Sequence, residues 1–482
     1  MTTAPPVAAA RSVRGEVWQQ AWPTVVAMTS YTVMQFVDSM MVARISPEAV
    51  AAQGNGGVWV WTAIAAMYGI VTLVNTYASQ NLGAGRPREA ARYAWAGVWV
   101  SIVCAVVVIL PWGFFLPTLF DMLGHDESLV TREVAYGQVL CFGAVLTLSS
   151  KAISGFFFGI HWPKVVAVAA ILGNVANLVG NYALIYGPEG IPEWGLPGIP
   201  FAPRLEVTGA AIGTLFGTGV EFLVPLVVLL RPRFNQEFHF WSCWKPAWGP
   251  MRDLLRLGWA PALQNANEML AWAIFMSVLV GQFGTIELAA GWATLRYMHL
   301  SFMPAIGFSV ACAALVGKAI GAGDKERATQ YARVTVRMAI FYMASWGVAM
   351  ILFRRPMIAV FASAPGEDPA TLLHMVDVGA TIMICAALFQ FFDAIGIVYS
   401  GALRGAGDTI WPAALTVVLS WVLIVGLGGA LVAWVPQWGS LGPWIGASIY
   451  ISVLGVLLGL RFESNRWRSI DLLGRTAPAA GA

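Results

Sequence analysis

Apolar runs of about 20 residues or more recur along nearly the whole chain of 482 residues, each long enough to cross a bilayer as a helix. Twelve are counted, centred near residues 29, 65, 105, 144, 175, 220, 268, 302, 340, 387, 422 and 451. This pattern narrows the fold more than any other feature. A backbone in hydrocarbon must satisfy its own hydrogen bonds, and a helix does so within one segment. The expected class is an all-α integral membrane protein with twelve transmembrane helices. Composition agrees: 58% of residues are hydrophobic and 11% charged, which excludes an ordinary soluble domain. The first 16 residues are polar and no small-residue cleavage site follows the first apolar run, so a cleaved signal peptide is not expected. Four of the five cysteines lie in apolar runs, a scatter that indicates neither disulfides nor a zinc site. A net charge of +3, spread through the loops, leaves no footprint for nucleic acid.

The basic residues set the topology. With both termini in the cytoplasm and the connections sorted alternately, 21 of the 28 Lys and Arg fall inside and 5 outside, leaving Lys151 and Arg296 within apolar runs. The inner set runs from Arg11 to Arg475 and includes Arg86, Arg88, Arg231, Arg233 and Arg404; the outer set is Arg44, Arg132, Arg204, Arg354 and Arg355. Such a bias is the positive-inside signature, and it supports an even helix count. It predicts an integral plasma (inner) membrane protein with both termini cytoplasmic.

The chain also repeats itself. Residues 82–94 (LGAGRPREAARYA) align with residues 320–332 (IGAGDKERATQYA) at an offset of 238. Ser154-Gly-x-x-x-Gly159 echoes Ser400-Gly-x-x-x-Gly405 at 246, and Gly209-x-x-Ile-Gly213 echoes Gly442-x-x-Ile-Gly446. The longest inner connection, Arg231 to Arg252, falls where such a repeat needs a boundary. Its three Pro and three Trp predict an ordered segment on the membrane surface. The expected organisation is two pseudo-symmetric six-helix lobes, residues 1–231 and 252–482, joined by a linker at 232–251. Six being even, the lobes share one orientation about an axis along the membrane normal. The Gly-Ala-Gly blocks then form matching cytoplasmic turns. They are not phosphate loops, since neither follows a strand nor carries the Lys-Ser/Thr of one.

Placing a carboxylate at a helix centre costs roughly 2.5–3.5 kcal/mol on insertion scales, so each intramembrane acid needs a reason. Asp38, Glu268 and Asp393 sit deep in helices 1, 7 and 10; Glu221 and Asp377 are shallower. Pairing with Lys151 or Arg296 is the structural alternative, but five acids outnumber two bases, and the surplus points to a cation site. Gln264, Asn265 and Glu268 share one helical face, as do Gln390 and Asp393. Asn174, Asn177 and Asn181 form a stripe that suits either helix–helix hydrogen bonding or ion coordination. A possible Na+ would sit at Glu268 and Asp393, or at Asp38, Asn177 and Asn181. A proton would use the same carboxylates, and the residues do not choose between the two ions. Gly209, Gly213 and Gly217 read as a close-packing face. Some of the 18 Met and the many aromatic residues are expected to line an adaptable cavity.

The stretch from Gln390-Phe-Phe-Asp393 to Leu403-Arg404-Gly-Ala-Gly-Asp408-Thr resembles helix 10 and the following turn of the multidrug and toxic compound extrusion (MATE) family. Phe36-Val-Asp38-Ser-Met-Met-Val-Ala-Arg resembles that family's helix 1 motif, and the Gly-Ala-Gly blocks resemble its inner loops. The resemblance covers essentially the whole chain. Asp38, Glu268 and Asp393 together resemble the NorM-like bacterial branch. What it implies is a V-shaped antiporter that expels cationic or amphipathic small molecules, drugs included, in exchange for sodium or protons. By position, Glu268 and Asp393 would form a C-lobe cation and substrate site, and Asp38, Asn177, Asn181 and Thr214 an N-lobe cation cluster. Asn181 stands where relatives often carry an acid, and Phe389 where some carry Tyr.

The alternative within this fold is a flippase for an anionic lipid-linked precursor, which would need cationic groups in the cavity. The five histidines are dispersed and neither HExxH nor GxSxG occurs, so no enzyme is expected. No cofactor is expected beyond the coupling ion. The expected partners are a small-molecule substrate and membrane lipid, with the protein acting as a monomer.

Overall fold

The computed structural model describes residues 12–191, 195–361 and 369–474; Arg11 and Arg475, counted above on the inner side, lie outside the described residues. The first half of the chain supplies α1 (Val13–Val42), α2 (Glu48–Gly83) and α3 (Pro87–Met122). It continues with α4, a pair Glu127–Phe142 and Ala144–Gly159 bent by 46°, then α5 (Pro163–Glu189) and α6 (Glu206–Leu229). The second half supplies α7 (Trp248–Phe283), α8 (Thr285–Gly321), α9 (Lys325–Ala359), α10 (Pro369–Ala406), α11 (Ile410–Trp434) and α12 (Leu441–Glu463). Counting the bent pair as one span gives twelve, each lying over one apolar run.

Local chemistry sets the helix ends. Ser12 and Ser46 accept the Gly15 and Ala49 amides to cap α1 and α2, and Asp324 accepts the Arg327 amide to cap α9. The Gly-Ala-Gly blocks close α2 and α8: Gly85 (φ +70°) and Gly323 (φ +83°) adopt the left-handed turn that a side chain disfavours. Pro87 then opens α3 at a position where its missing amide costs nothing. Between the halves, the short helix Pro232–Phe238 and the turn Phe240–Cys243 pack on the first half. There Trp95 and Trp99 donate to the carbonyls of Phe240 and Trp244, both at 2.8 Å.

The repeat is visible in how the halves meet. A Cβ on Gly83 would lie 2.0 Å from the Lys318 carbonyl oxygen, and one on Gly321 would lie 2.0 Å from that of Gln80. Each residue is the other's counterpart at the offset of 238. Gly69 likewise sits against Pro261 and Ala262 of α7, while its counterpart Gly307 sits against Val25 of α1. Pro23 and Pro261, again 238 apart, both lie inside their helices. Backbones this close need small residues at the crossing. Amides and hydroxyls reinforce them: Asn75 donates to the Val310 carbonyl (3.1 Å), Thr76 to that of Arg404 (3.0 Å) and Gln80 to that of Gly405 (2.8 Å). Glu16 pairs with Arg327 at 2.8 Å. Among the described residues, the hydrogen bonds between the halves run from mid-span to this end, so the structure is closed where the Gly-Ala-Gly turns lie.

Gly83→Ala and Gly321→Ala should each cost this closed state about 1–3 kcal/mol, because the blocking atom is backbone and cannot swing aside. Spin labels on exposed Arg86 and Lys325 should report longer distances in both variants. An unchanged distance distribution would refute the contact.

Candidate ion and substrate sites

Asp38 sits on α1, only 5% exposed, facing α5 and α6. It is reached because glycines on α6 let α5 lie close along it. A Cβ at Gly209 would lie 2.4 Å from the Leu184 oxygen, and one at Gly217 2.8 Å from that of Gly173. The glycine face of α6 is thus a packing surface, and it delivers α5's amides to the acid. Asn181 donates to Asp38 Oδ1 at 2.6 Å, while Asn177 and the Thr214 hydroxyl donate to Oδ2 at 3.3 Å. All three donors are neutral. The Asn181 Oδ1 is buried with no hydrogen-bond partner. Asn174 does not join this cluster: its Nδ2 donates to Ser30 Oγ (2.7 Å) and to the Ser30 carbonyl (2.8 Å), tying α5 to α1.

The second half arranges its polar groups differently. Glu268 lies within reach of the Gln264 side chain and within the fields of Arg404 and Asp393. Asp393 accepts no hydrogen bond among the described residues. Two residues expected beside these acids are spent elsewhere. Asn265 donates across the halves to the Ala65 carbonyl (2.9 Å), and Gln390 is buried against Ser301 (3.0 Å) and the Met350 sulfur (3.8 Å). Asn267, which the sequence gives no reason to single out, donates to Ser420 at 2.8 Å and accepts from the Trp421 indole at 2.9 Å.

Between the halves lies a cavity of about 160 Å³ whose walls include Met28, Tyr31, Trp61, Tyr68, Phe158 and Met303. Its charged residues correct the sequence inventory. Lys151 lines it and pairs with Glu221 at 3.3 Å, not with any deep acid. Arg296 is exposed on α8, without an ion pair among the described residues. Arg404, expected in an inner loop, lines the cavity because α10 continues to Ala406. A signal existed in the offset of 246, which pairs Arg404 with Phe158, itself inside a span and on the same cavity wall. Asp377, the remaining acid, pairs with Arg355 on the surface. A larger cleft of about 860 Å³ lies at the Gly-Ala-Gly end, lined by Glu16, Trp22, His161, Lys164, Lys318 and Arg327. Its two acids are engaged: Glu16 is held by Arg327, and Asp324 accepts the Arg327 amide as the cap of α9. Burial, with Lys318 nearby, pushes the His161 imidazole down to about 3, leaving it neutral.

The MatE family model matches residues 23–183 and 262–428, more than half of the chain and one segment in each half. The chain belongs to the MatE family. It is 28% identical over 456 residues to the probable multidrug resistance protein NorM of Synechococcus sp., covering 94% of this chain and 95% of that one. It is 26% identical over 455 residues to the multidrug resistance protein MdtK of Yersinia pseudotuberculosis, covering 93% and 94%. Among solved structures, the fold matches an outward-facing multidrug resistance MATE family transporter of the MOP superfamily with a TM-score of 0.83, at 20% identity over 95% of this chain and 98% of that one. A MOP superfamily transporter from Pyrococcus furiosus matches with a TM-score of 0.84, also at 20% identity and the same coverage. As a MatE protein, the chain is a membrane transporter and not an enzyme.

In this MatE chain the two halves share a frame but not the polar cluster. The repeat counterparts of Asp38, Asn177 and Thr214 are Met276, Leu423 and Ala447, all in one apolar cluster of the second half. Gly446 packs against the Gly428 backbone, with no amide side chain there. A Cβ on Gly213 would fall 2.0 Å from Asn181 Oδ1, whereas one on Gly219 would meet only Leu146 at an ordinary 3.8 Å. Gly213→Ala should therefore lower stability by about 1–3 kcal/mol and push Asn181 off Asp38. Gly219→Ala, on the same helix, should stay within about 0.5 kcal/mol. Thermal melts of the two purified variants in detergent compare them directly; equal melting temperatures would contradict the packing assigned to Gly213.

Proposed function

We propose that this MatE protein is a cation-coupled antiporter of the inner membrane. It exports cationic or amphipathic small molecules, drugs among them, by alternating access between two lobes, residues 1–231 and 252–482. The linker at 232–251 joins the lobes, both termini are cytoplasmic, and the protein works as a monomer. The observation that carries this reading is that Asp38, Glu268 and Asp393 lie within spans without an ion-pair partner among the described residues, while Lys151 is paired with Glu221, Arg296 is exposed on α8 and Arg404 is near Glu268 without bonding to it. A carboxylate in that position stabilises a bound Na+ or proton. The names of the relatives NorM and MdtK support the drug substrates.

Asp38, with Asn177, Asn181 and Thr214, forms one cation site of this mechanism. Asp38 supplies the charge, and amide and hydroxyl oxygens can turn inward to complete a shell for Na+. Glu268 and Asp393 form the other, steadied by Gln264. Asn174, Asn265 and Gln390 hold the helices that carry these acids. Entry of the ion neutralises a carboxylate and removes its attraction for a cationic substrate, which then leaves. One charge moving through 100 mV yields about 2.3 kcal/mol, enough to drive roughly 50-fold accumulation.

The test uses vesicles holding the purified protein and a fluorescent cation, with a Na+ gradient or a pH gradient imposed separately. One gradient should drive transport. Glu268→Gln and Asp393→Asn should each slow it by about ten-fold or more, the rate equivalent of about 1.4 kcal/mol. Full transport in both variants would remove the second-half acids from the mechanism, and a dye that follows neither gradient would remove antiport itself.

A further inference from the structure

The cleft of about 860 Å³ at the Gly-Ala-Gly end is walled by both halves, and its charges are unevenly spent. Trp22, His161 and Lys164 come from the first half, on α1 and around the start of α5; Leu315 and Lys318 come from the end of α8. Glu16 and Asp324 are engaged with Arg327, whereas Lys164 and Lys318 are exposed and make no ion pair among the described residues. His161 has a left-handed backbone (φ +63°), which turns the chain out of α4 and sets the imidazole and Lys164 in one wall. The imidazole Nε2 is buried without a hydrogen-bond partner, and α5 opens beside it with no side-chain cap on its first amides. Two ammoniums without an acid, an unused ring nitrogen and the positive end of a helix dipole all favour an anion.

The surroundings of these donors are those of a membrane interface. Trp22 and Trp162 are exposed beside the cleft, the Lys164 ammonium lies 5.8 Å over the Trp22 ring, and Leu315 and Ala319 supply apolar wall. Tryptophan concentrates at the headgroup level of a bilayer, where Lys and Arg attract anionic lipid. A soluble phosphate would gain nothing from the Trp and Leu surface. The cleft also has room, being within the range of about 300–1,000 Å³ typical of small-molecule sites. We propose that it binds the phosphate headgroup of an anionic phospholipid, held between Lys164 of the first half and Lys318 of the second. Since the halves must meet to build the site, the bound lipid favours the state closed at this end. None of its residues belongs to the ion sites above, so the lipid site and the export reading fail separately.

The experiment counts lipids on the full-length protein in detergent by native mass spectrometry, with phosphatidylglycerol and phosphatidylcholine titrated separately. Phosphatidylglycerol should bind about ten-fold more tightly. Lys164→Gln and Lys318→Gln should each weaken it by about five-fold, and the pair by about 25-fold, with phosphatidylcholine unchanged. Both lysines are exposed, so these variants keep the fold. Arg233→Gln removes the same charge from an exposed position outside the cleft and should leave the affinity within about two-fold. An equal loss in Arg233→Gln, or no preference for the anionic lipid, would overturn the site. Excess glycerol phosphate should leave phosphatidylglycerol bound; its displacement would make the occupant a soluble phosphate and sink the lipid assignment. In nanodiscs, spin labels on Arg86 and Lys325 should report shorter distances with phosphatidylglycerol than with phosphatidylcholine, a difference that the paired Lys164→Gln and Lys318→Gln variant removes. Distances that ignore the lipid would refute its hold on the closed state.

Discussion

Where α2 and α8 cross, the Lys318 carbonyl fills the space that a Cβ on Gly83 would need, and the Gln80 carbonyl does the same at Gly321. Lipid tails are as apolar as any side chain, so helices in a membrane gain from contact mainly through close packing and polar bonds. The chain uses both at this crossing. Glycines bring the backbones together, and Asn75, Thr76 and Gln80 donate to carbonyls that the close approach places in range. The cavity follows from the same contact, since it is the space left above the point where the halves touch.

Much of this was legible in the sequence, and the failures share a cause. The twelve spans and the Gly-Ala-Gly turns depend on properties local to a few turns of chain. The approach of Asn177 and Asn181 to Asp38 was legible because helical spacing puts both amides on one face and the resemblance named the acid. Asn174 lies on the same stripe, yet the partner it meets, Ser30, is fixed by the crossing of α1 and α5. Asn265 and Gln390 fail the same way, through Ala65 and Ser301 on other helices. The bend in α4 had only Gly143 to mark it, and what fills that space, Leu215, comes from α6. Arg404 was hidden by its likeness to a turn motif, although the helix runs past it.

Duplication has preserved the frame more strictly than the chemistry. An amide–hydroxyl bond ties the first and fifth spans of each half: Asn174 to Ser30 in one, Asn267 to Ser420 in the other. The donor has changed helices between the copies while the link has stayed. By contrast, the acid cluster of the first half has become packed hydrocarbon in the second, and the second-half acids stand where the first half has none.

The linker between the halves has a mechanical meaning. Trp95 and Trp99 pin it to α3 as far as Trp244, and α7 begins at Trp248. Only Lys245, Pro246 and Ala247 remain as slack, and three extended residues reach roughly 10 Å. The linker thus travels as part of the first half, and the free tether is short. At that end the chain is a short strap between α3 and α7, and the Tyr93 hydroxyl, 2.7 Å from the Asp253 carboxylate of α7, holds the same two helices together beside it.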